Sequence, residues 1–203
     1  MTRARTVALL AALPLLAMAC GAGSGSAGDE DAEPSGATVP DRLETPLGTD
    51  PAAVAPYIED LLVSYNASVN EIAARPSLAV DLDSPAVRVY LGLFEPDSTV
   101  AAQAVAFWQN QGVVGDATRP YAPGRPAFTT RLDGAVEAVG DEEVTFPTCV
   151  ERAFETVNAQ GQRIDVEPGA SLAGQGTAVL VDDEWRLRRL DQFAGTEGCG
   201  GGS

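Results

Sequence analysis

The sequence predicts an α+β fold in which helices pack on one face of a curved antiparallel sheet. Three observations carry that reading. Apolar residues recur at three and four positions between about residues 51 and 112, and at every second position after "RPYAPGRP". The turn signals in the second half, "GDE", "NAQG" and "VDDE", are short, and short turns join antiparallel neighbours. Helices first and a strand meander afterwards is the chain order that leaves the helices on one face of the sheet.

The first helix opens at Asp50 and Pro51, a cap followed by a first-turn proline. Val54, Ile58, Leu61, Tyr65, Val69 and Ile72 then form one stripe facing a core. Pro56 argues for a start moved inward, since proline is tolerated only near the first turn. The triplet Asn66, Ala67, Ser68 falls inside this helix and is given no role. A second helix starts at Ser84 and Pro85, with Val87, Tyr90, Leu91 and Phe94 on its apolar side. A third is capped by Asp97 or Ser98 and closed by Gly112, with Val100, Ala104, Phe107, Trp108 and Gln111 as its packing face. Strands follow in "AFTTRLDGAVEAVG", "EEVTFPTCVERAFETVN", "QRIDVE", "GTAVLV" and "EWRLRRLDQF".

Ahead of this lies a different kind of chain. Arg3 and Arg5 precede an apolar run from Val7 to Met18, the charged and apolar regions of an export signal. The run is too short for a hydrocarbon core that needs about 20 apolar residues. The stretch "LLAMAC" resembles the lipobox of bacterial lipoproteins, in which small residues precede an invariant cysteine. Ala17 stands where leucine is usual, and Leu16 lies one position further back. The resemblance implies cleavage after residue 19, lipid on Cys20, and a protein held at the outer face of the cell membrane. Acyl burial at about 0.8 kcal/mol per CH₂ supplies the hold. Residues 20–49 are Gly, Ser, Pro and acid, and read as a disordered tether with a reach of about 30 Å. The folded domain is expected over 50–195, of ordinary single-domain size, and 196–203 as a flexible glycine-rich tail.

The formal charge is -16, and loss of Arg3 and Arg5 makes it -18. So acidic a surface repels nucleic acid and anionic headgroups, which share its sign, and no nucleic-acid partner is expected. Three cysteines are an odd number for an exported chain. With Cys20 assigned to lipid, Cys149 and Cys199 are left to pair in an oxidising compartment. A closure of that length contributes roughly 4 kcal/mol in the chain-entropy model. The chain has no histidine, which removes every Ser-His and Cys-His scheme and, with isolated cysteines, any zinc site.

Helices over 51–112, an antiparallel sheet of four or five strands and a last strand of the form "AVLVDDEWRLRRL" resemble actinobacterial lipoproteins with a domain similar to nuclear transport factor 2. That superfamily, the NTF2-like cone, also holds ketosteroid isomerases and SnoaL-type cyclases. The resemblance covers about 51–193 and implies a pocket between the helices and the concave sheet face. In enzymes of the superfamily a pocket carboxylate or histidine acts as base while a tyrosine or acid stabilises the oxyanion. Here that scheme is open only to a carboxylate with Tyr57, Tyr65, Tyr90 or Tyr121, the first-strand acids Asp133 and Glu137 being candidates. Strict alternation instead puts both acids on the solvated face, opposite Leu132, Val136 and Ala138.

The remaining acids read as local structure. Asp81 and Asp83 suit a helix entry, because the spaced ligands and glycine of a calcium loop are missing. Asp182 to Glu184 suit a hairpin tip. No metal or cofactor is expected. Arg186 and Arg188 share one strand face, with Trp185, Leu187 and Arg189 on the other; the arginines either pair with acids or line an anion pocket. The expected function is a non-catalytic, lipid-anchored binding or interaction domain for an apolar small molecule or an envelope protein. The alternative is a cofactor-independent isomerase, dehydratase or cyclase.

Overall fold

A computed structural model describes residues 45, 46, 48–115, 117–197 and 199. Three helices, α1 (Pro51–Ala74), α2 (Pro85–Gly92) and α3 (Thr99–Val114), precede six strands. These are β1 (Ala117–Pro120), β2 (Phe128–Leu132), β3 (Glu137–Ala138), β4 (Glu143–Val157), β5 (Arg163–Val181) and β6 (Glu184–Glu197). All strand pairs are antiparallel, and β4 is the hub: β1, β2 and β3 line one of its edges in turn, β5 lines the other, and β6 pairs with β5. Helices on one face of a curled antiparallel sheet give an α+β cone.

Helix α1 starts at Pro51, where the Asp50 carboxylate accepts from the Ala52 N–H at 3.1 Å. Pro56 lies inside the helix on its exposed side, and the start does not move inward. The carbonyl it leaves unbonded, on exposed Ala52, faces water, which limits the cost. The expected stripe faces the core, with Val54, Ile58 and Ile72 buried, and Leu62 joins it. Against them pack Val87, Tyr90 and Phe94 from the α2 region and Phe146, Trp185 and Leu187 from the sheet. Full burial of each large side chain is worth about 1.5–3 kcal/mol.

Two expectations for α3 are corrected. Its cap is Ser98, whose hydroxyl accepts from the Ala101 N–H, but it ends at left-handed Gly115 (φ 80°) and runs through Gly112. A side chain at Gly112 would meet the Pro76 carbonyl at 2.7 Å, so that glycine serves close contact with the 3-10 turn Pro76–Val80. The close contact also selects the inward face: Ala101 and Val105 are buried, whereas Val100 and Phe107 are exposed.

The strands differ from expectation in five ways. Strand β1 was not foreseen in "ATRP". The first expected strand is split into β2 and β3 by Asp133 and Gly134. "QRIDVE" and "GTAVLV" belong to one 19-residue strand, because Pro168 and Gly169 (φ 120°) are absorbed as a bulge opposite Ala153. A second bulge at Arg188 breaks the alternation of β6, so Leu190 rather than Arg189 follows Leu187 onto the core. Strand β6 reaches Glu197, two residues past the expected boundary at Gly195, by pairing with Leu172.

The outer edge of β2 is closed by side chains of α1. The Asn66 amide donates to the Thr130 carbonyl and its oxygen accepts from the Thr130 N–H, both at 2.7 Å. One turn on, Asn70 does the same with Phe128, at 2.6 and 3.0 Å. Alanine at both positions is expected to leave four part-buried backbone groups unpaired and to destabilise the fold by about 1–3 kcal/mol per lost partner. Denaturant unfolding of N66A, N70A and the double variant measures it, and the double variant should lose the protection of β2 amides from exchange.

Candidate functional site

Of the sites expected from sequence, the structure assembles one. Cys149, fully buried on β4, and Cys199 form a disulfide with their Cα atoms 5.3 Å apart. Cys149 pairs in register with Ala173 of β5, and Leu172 with Glu197 of β6, so the link joins β4 to the end of the chain after β6 across β5. Cys20 lies outside the described residues.

The tyrosines are not gathered at a carboxylate. Tyr65 and Tyr90 stack with Phe94 at centroid distances of 6.0, 6.2 and 5.2 Å within the core. Burial pushes the Tyr65 phenol up to about 12. It raises Tyr90 as well, where the neighbouring Tyr65 adds to the effect. Glu137 is exposed, and Asp133 pairs with Arg131 at 2.9 Å. At the α2 entry the Asp81 carboxylate accepts from the Asp83 N–H, while the hydroxyl of Ser84 turns to the Leu78 carbonyl. Asp182 and Asp183 occupy left-handed positions (φ 51° and 61°) of the β5–β6 hairpin tip. No group of three or more metal-ligating side chains occurs among the described residues.

Arg186 and Arg188 belong to ion pairs and not to an anion pocket. Arg186 bonds Glu184 at 2.6 Å and the Gly92 carbonyl; Arg188 bonds Glu95 at 3.0 Å and also Glu143. Arg188 lines a cleft of about 350 Å³ together with Asp141, Glu142 and Glu143, whose charges exclude an anion, whereas Arg152, on β4, lines an aromatic cavity.

That cavity has a volume of about 420 Å³ and lies between α3 and the concave face of the sheet. Helix α3 contributes Phe107, Trp108 and Gln111; the sheet contributes Phe128, Arg152 and Phe154. Successive rings sit 4.9 Å (Phe107 to Trp108), 6.3 Å (Trp108 to Phe128) and 5.1 Å (Phe128 to Phe154) apart. Thr118, Thr156 and Asp165 add polar atoms, and Ile164 stands at the rim. The bulge at Gly169 pairs with β4 between Arg152 and Phe154, and bulges bend the strands that carry them. The Arg152 guanidinium donates through Nη2 to Glu167 at 2.8 Å, and its Nε–H is buried without a partner. The lining includes a carboxylate but no tyrosine.

Sequence reasoning had placed Phe107 and Trp108 on a packing face and had not singled out Arg152, Phe128 or Phe154. The available signal was "ERAFETV", where Arg152, Phe154 and Thr156 alternate on one face of a strand too long to be wholly solvated.

No protein-family model matches the chain, and no curated protein matches it. Among solved structures, the intermembrane space region of the chloroplast protein ARC6 is similar over 69% of this chain and 96% of that one, at 8% identity and a TM-score of 0.48. A protein of unknown function with a cystatin-like fold from Nostoc punctiforme is similar over 64% of this chain and 91% of that one, at 13% identity and a TM-score of 0.32. Among the described residues no helix is long and apolar enough to cross a membrane.

The tyrosine cluster sets an alkaline limit. A phenol raised in the folded state contributes stability that is complete below the ordinary value of 10.0 and is lost as pH rises towards about 12, because the unfolded chain ionises first. In ultraviolet titration, the part of the phenolate absorbance that Tyr65→Phe and Tyr90→Phe remove should therefore appear only with loss of the fold, and Tyr90→Phe should move the unfolding midpoint to higher pH.

Proposed function

We propose that this chain is a bacterial lipoprotein, anchored at the outer face of the cell membrane through Cys20, whose NTF2-like domain binds a small, largely apolar molecule without transforming it. The observation that carries the reading is the open aromatic cavity: about 420 Å³, within the size range of small-molecule sites, walled by four rings on rigid elements. Binding is favoured over catalysis by the character of the polar groups there. An arginine held by Glu167 is a donor and not a base, the Asp165 carboxylate has no tyrosine in the lining to act with it, and the chain has no imidazole to move protons near neutral pH. The acidic, lysine-free composition suits a domain that stays clear of anionic headgroups on its tether.

Two measurements test the two halves separately. Native mass spectrometry of the chain purified from its own host is expected to show added mass that disappears on denaturation and is reduced by Phe128→Ala; bound mass unaffected by that change counts against the cavity. Membrane fractionation is expected to find the wild type in the pellet and Cys20→Ser in the soluble fraction, and a variant that stays in the pellet defeats the anchor.

A further inference from the structure

We infer that the cavity selects an uncharged, flat ring system bearing one hydrogen-bond acceptor, such as a ketone or quinone oxygen, and that the guanidinium of Arg152 receives that oxygen. The inference rests on the binding role proposed above and adds the chemistry of the ligand. Shape comes first. Four rings in sequence, each tilted or edge-on to the next, offer faces and edges to a planar guest. A branched or globular guest would meet only part of them.

The polar atoms then narrow the guest. Arg152 is the cation of the lining, and its Nη2 is already bonded to Glu167 while the Nε–H has no acceptor. The covered Nε–H is out of a guest's reach, but the side chain lines the cavity and keeps 30% of its surface exposed, so an acceptor beside the rest of the guanidinium can take a charge-assisted hydrogen bond. Charge decides what kind. Glu167 neutralises Arg152, Asp165 adds a negative charge to the lining, and the chain as a whole stands at -16, so an anionic guest is repelled. A cationic guest is attracted by the same field, but it would have to sit against the guanidinium among the rings. A neutral acceptor meets neither objection.

Equilibrium dialysis of the full-length chain against four probes that share one ring tests this: naphthalene, 2-acetonaphthone, 2-naphthoate and trimethyl(2-naphthyl)ammonium. The ketone is expected to bind at least tenfold more tightly than each of the other three. Arg152→Met should remove the advantage of the ketone over naphthalene while leaving naphthalene binding in place. Glu167→Gln keeps the guanidinium but frees its charge, and should raise naphthoate affinity at least tenfold; it serves as the deciding variant if Arg152→Met fails to fold by near-ultraviolet circular dichroism. Tighter binding of naphthoate or the ammonium probe to the wild type, a ketone preference that survives Arg152→Met, or no gain for naphthoate in Glu167→Gln overturns the inference and leaves the binding role standing. Failure of all four probes, naphthalene included, removes the binding role itself.

Discussion

The contact on which this architecture depends is the pair of asparagine clamps between α1 and β2. A curled sheet must end somewhere, and an edge strand exposes N–H and C=O groups that demand partners. Here α1 supplies them: Asn66 and Asn70, one turn apart, meet Thr130 and Phe128, two residues apart. The spacing works because one helical turn rises about 5.4 Å, close to the advance of two strand residues. The helix therefore does two jobs, burying its apolar stripe and completing the ladder, and the angle between helix and strand is fixed by hydrogen-bond geometry as well as by packing. Asparagine is a mediocre helix former, and its presence at both positions is explained by this role and not by propensity.

From that fixed edge the cavity follows. Phe128, whose backbone is held by Asn70, is also the ring that links Trp108 on α3 to Phe154 on β4. The position of one wall is thus set by the clamp, and the opposite wall by the contact of Gly112 with Pro76. Between them the sheet bends at the Gly169 bulge. The closed end of the cone, with Trp185 and Phe146 nearly inaccessible, carries the packing, and the indole N–H of Trp185 bonds the Pro46 carbonyl at 3.1 Å, drawing the segment before α1 onto the sheet. The most deeply buried packing and the aromatic cavity are in this way built from different residues of one fold.

The fold class was legible because both periods are strong and are segregated along the chain. Asp50, Ser98, "NAQG" and "VDDE" act locally, and each local signal matches the structure. What sequence could not yield depends on partners distant in the chain. Gly112 looks like a helix end until the Pro76 carbonyl is beside it. Pro168 and Gly169 look like a break until Ala153 stands opposite and turns them into a bulge. Asn66 looks like part of a triplet without a role until β2 stands beside it. The cavity was hidden for the same reason, since a phenylalanine in a strand reads as core whether a neighbour fills the space before it or not.

That last ambiguity bears on function. Phe107 is 52% exposed and Ile164 is 56% exposed, although both flank a cavity whose other rings are largely covered. Leaving such side chains half in water forgoes about 25 cal/mol for every Å² of apolar surface that remains wet. Stability alone would favour closing α3 further onto the sheet. Closure is opposed by geometry already described: Gly112 is in contact with Pro76, so the helix cannot approach further at that turn, and Trp108 rests edge-on against Phe128. The rim is therefore held open by contacts elsewhere in the fold, which leave its apolar surface uncovered.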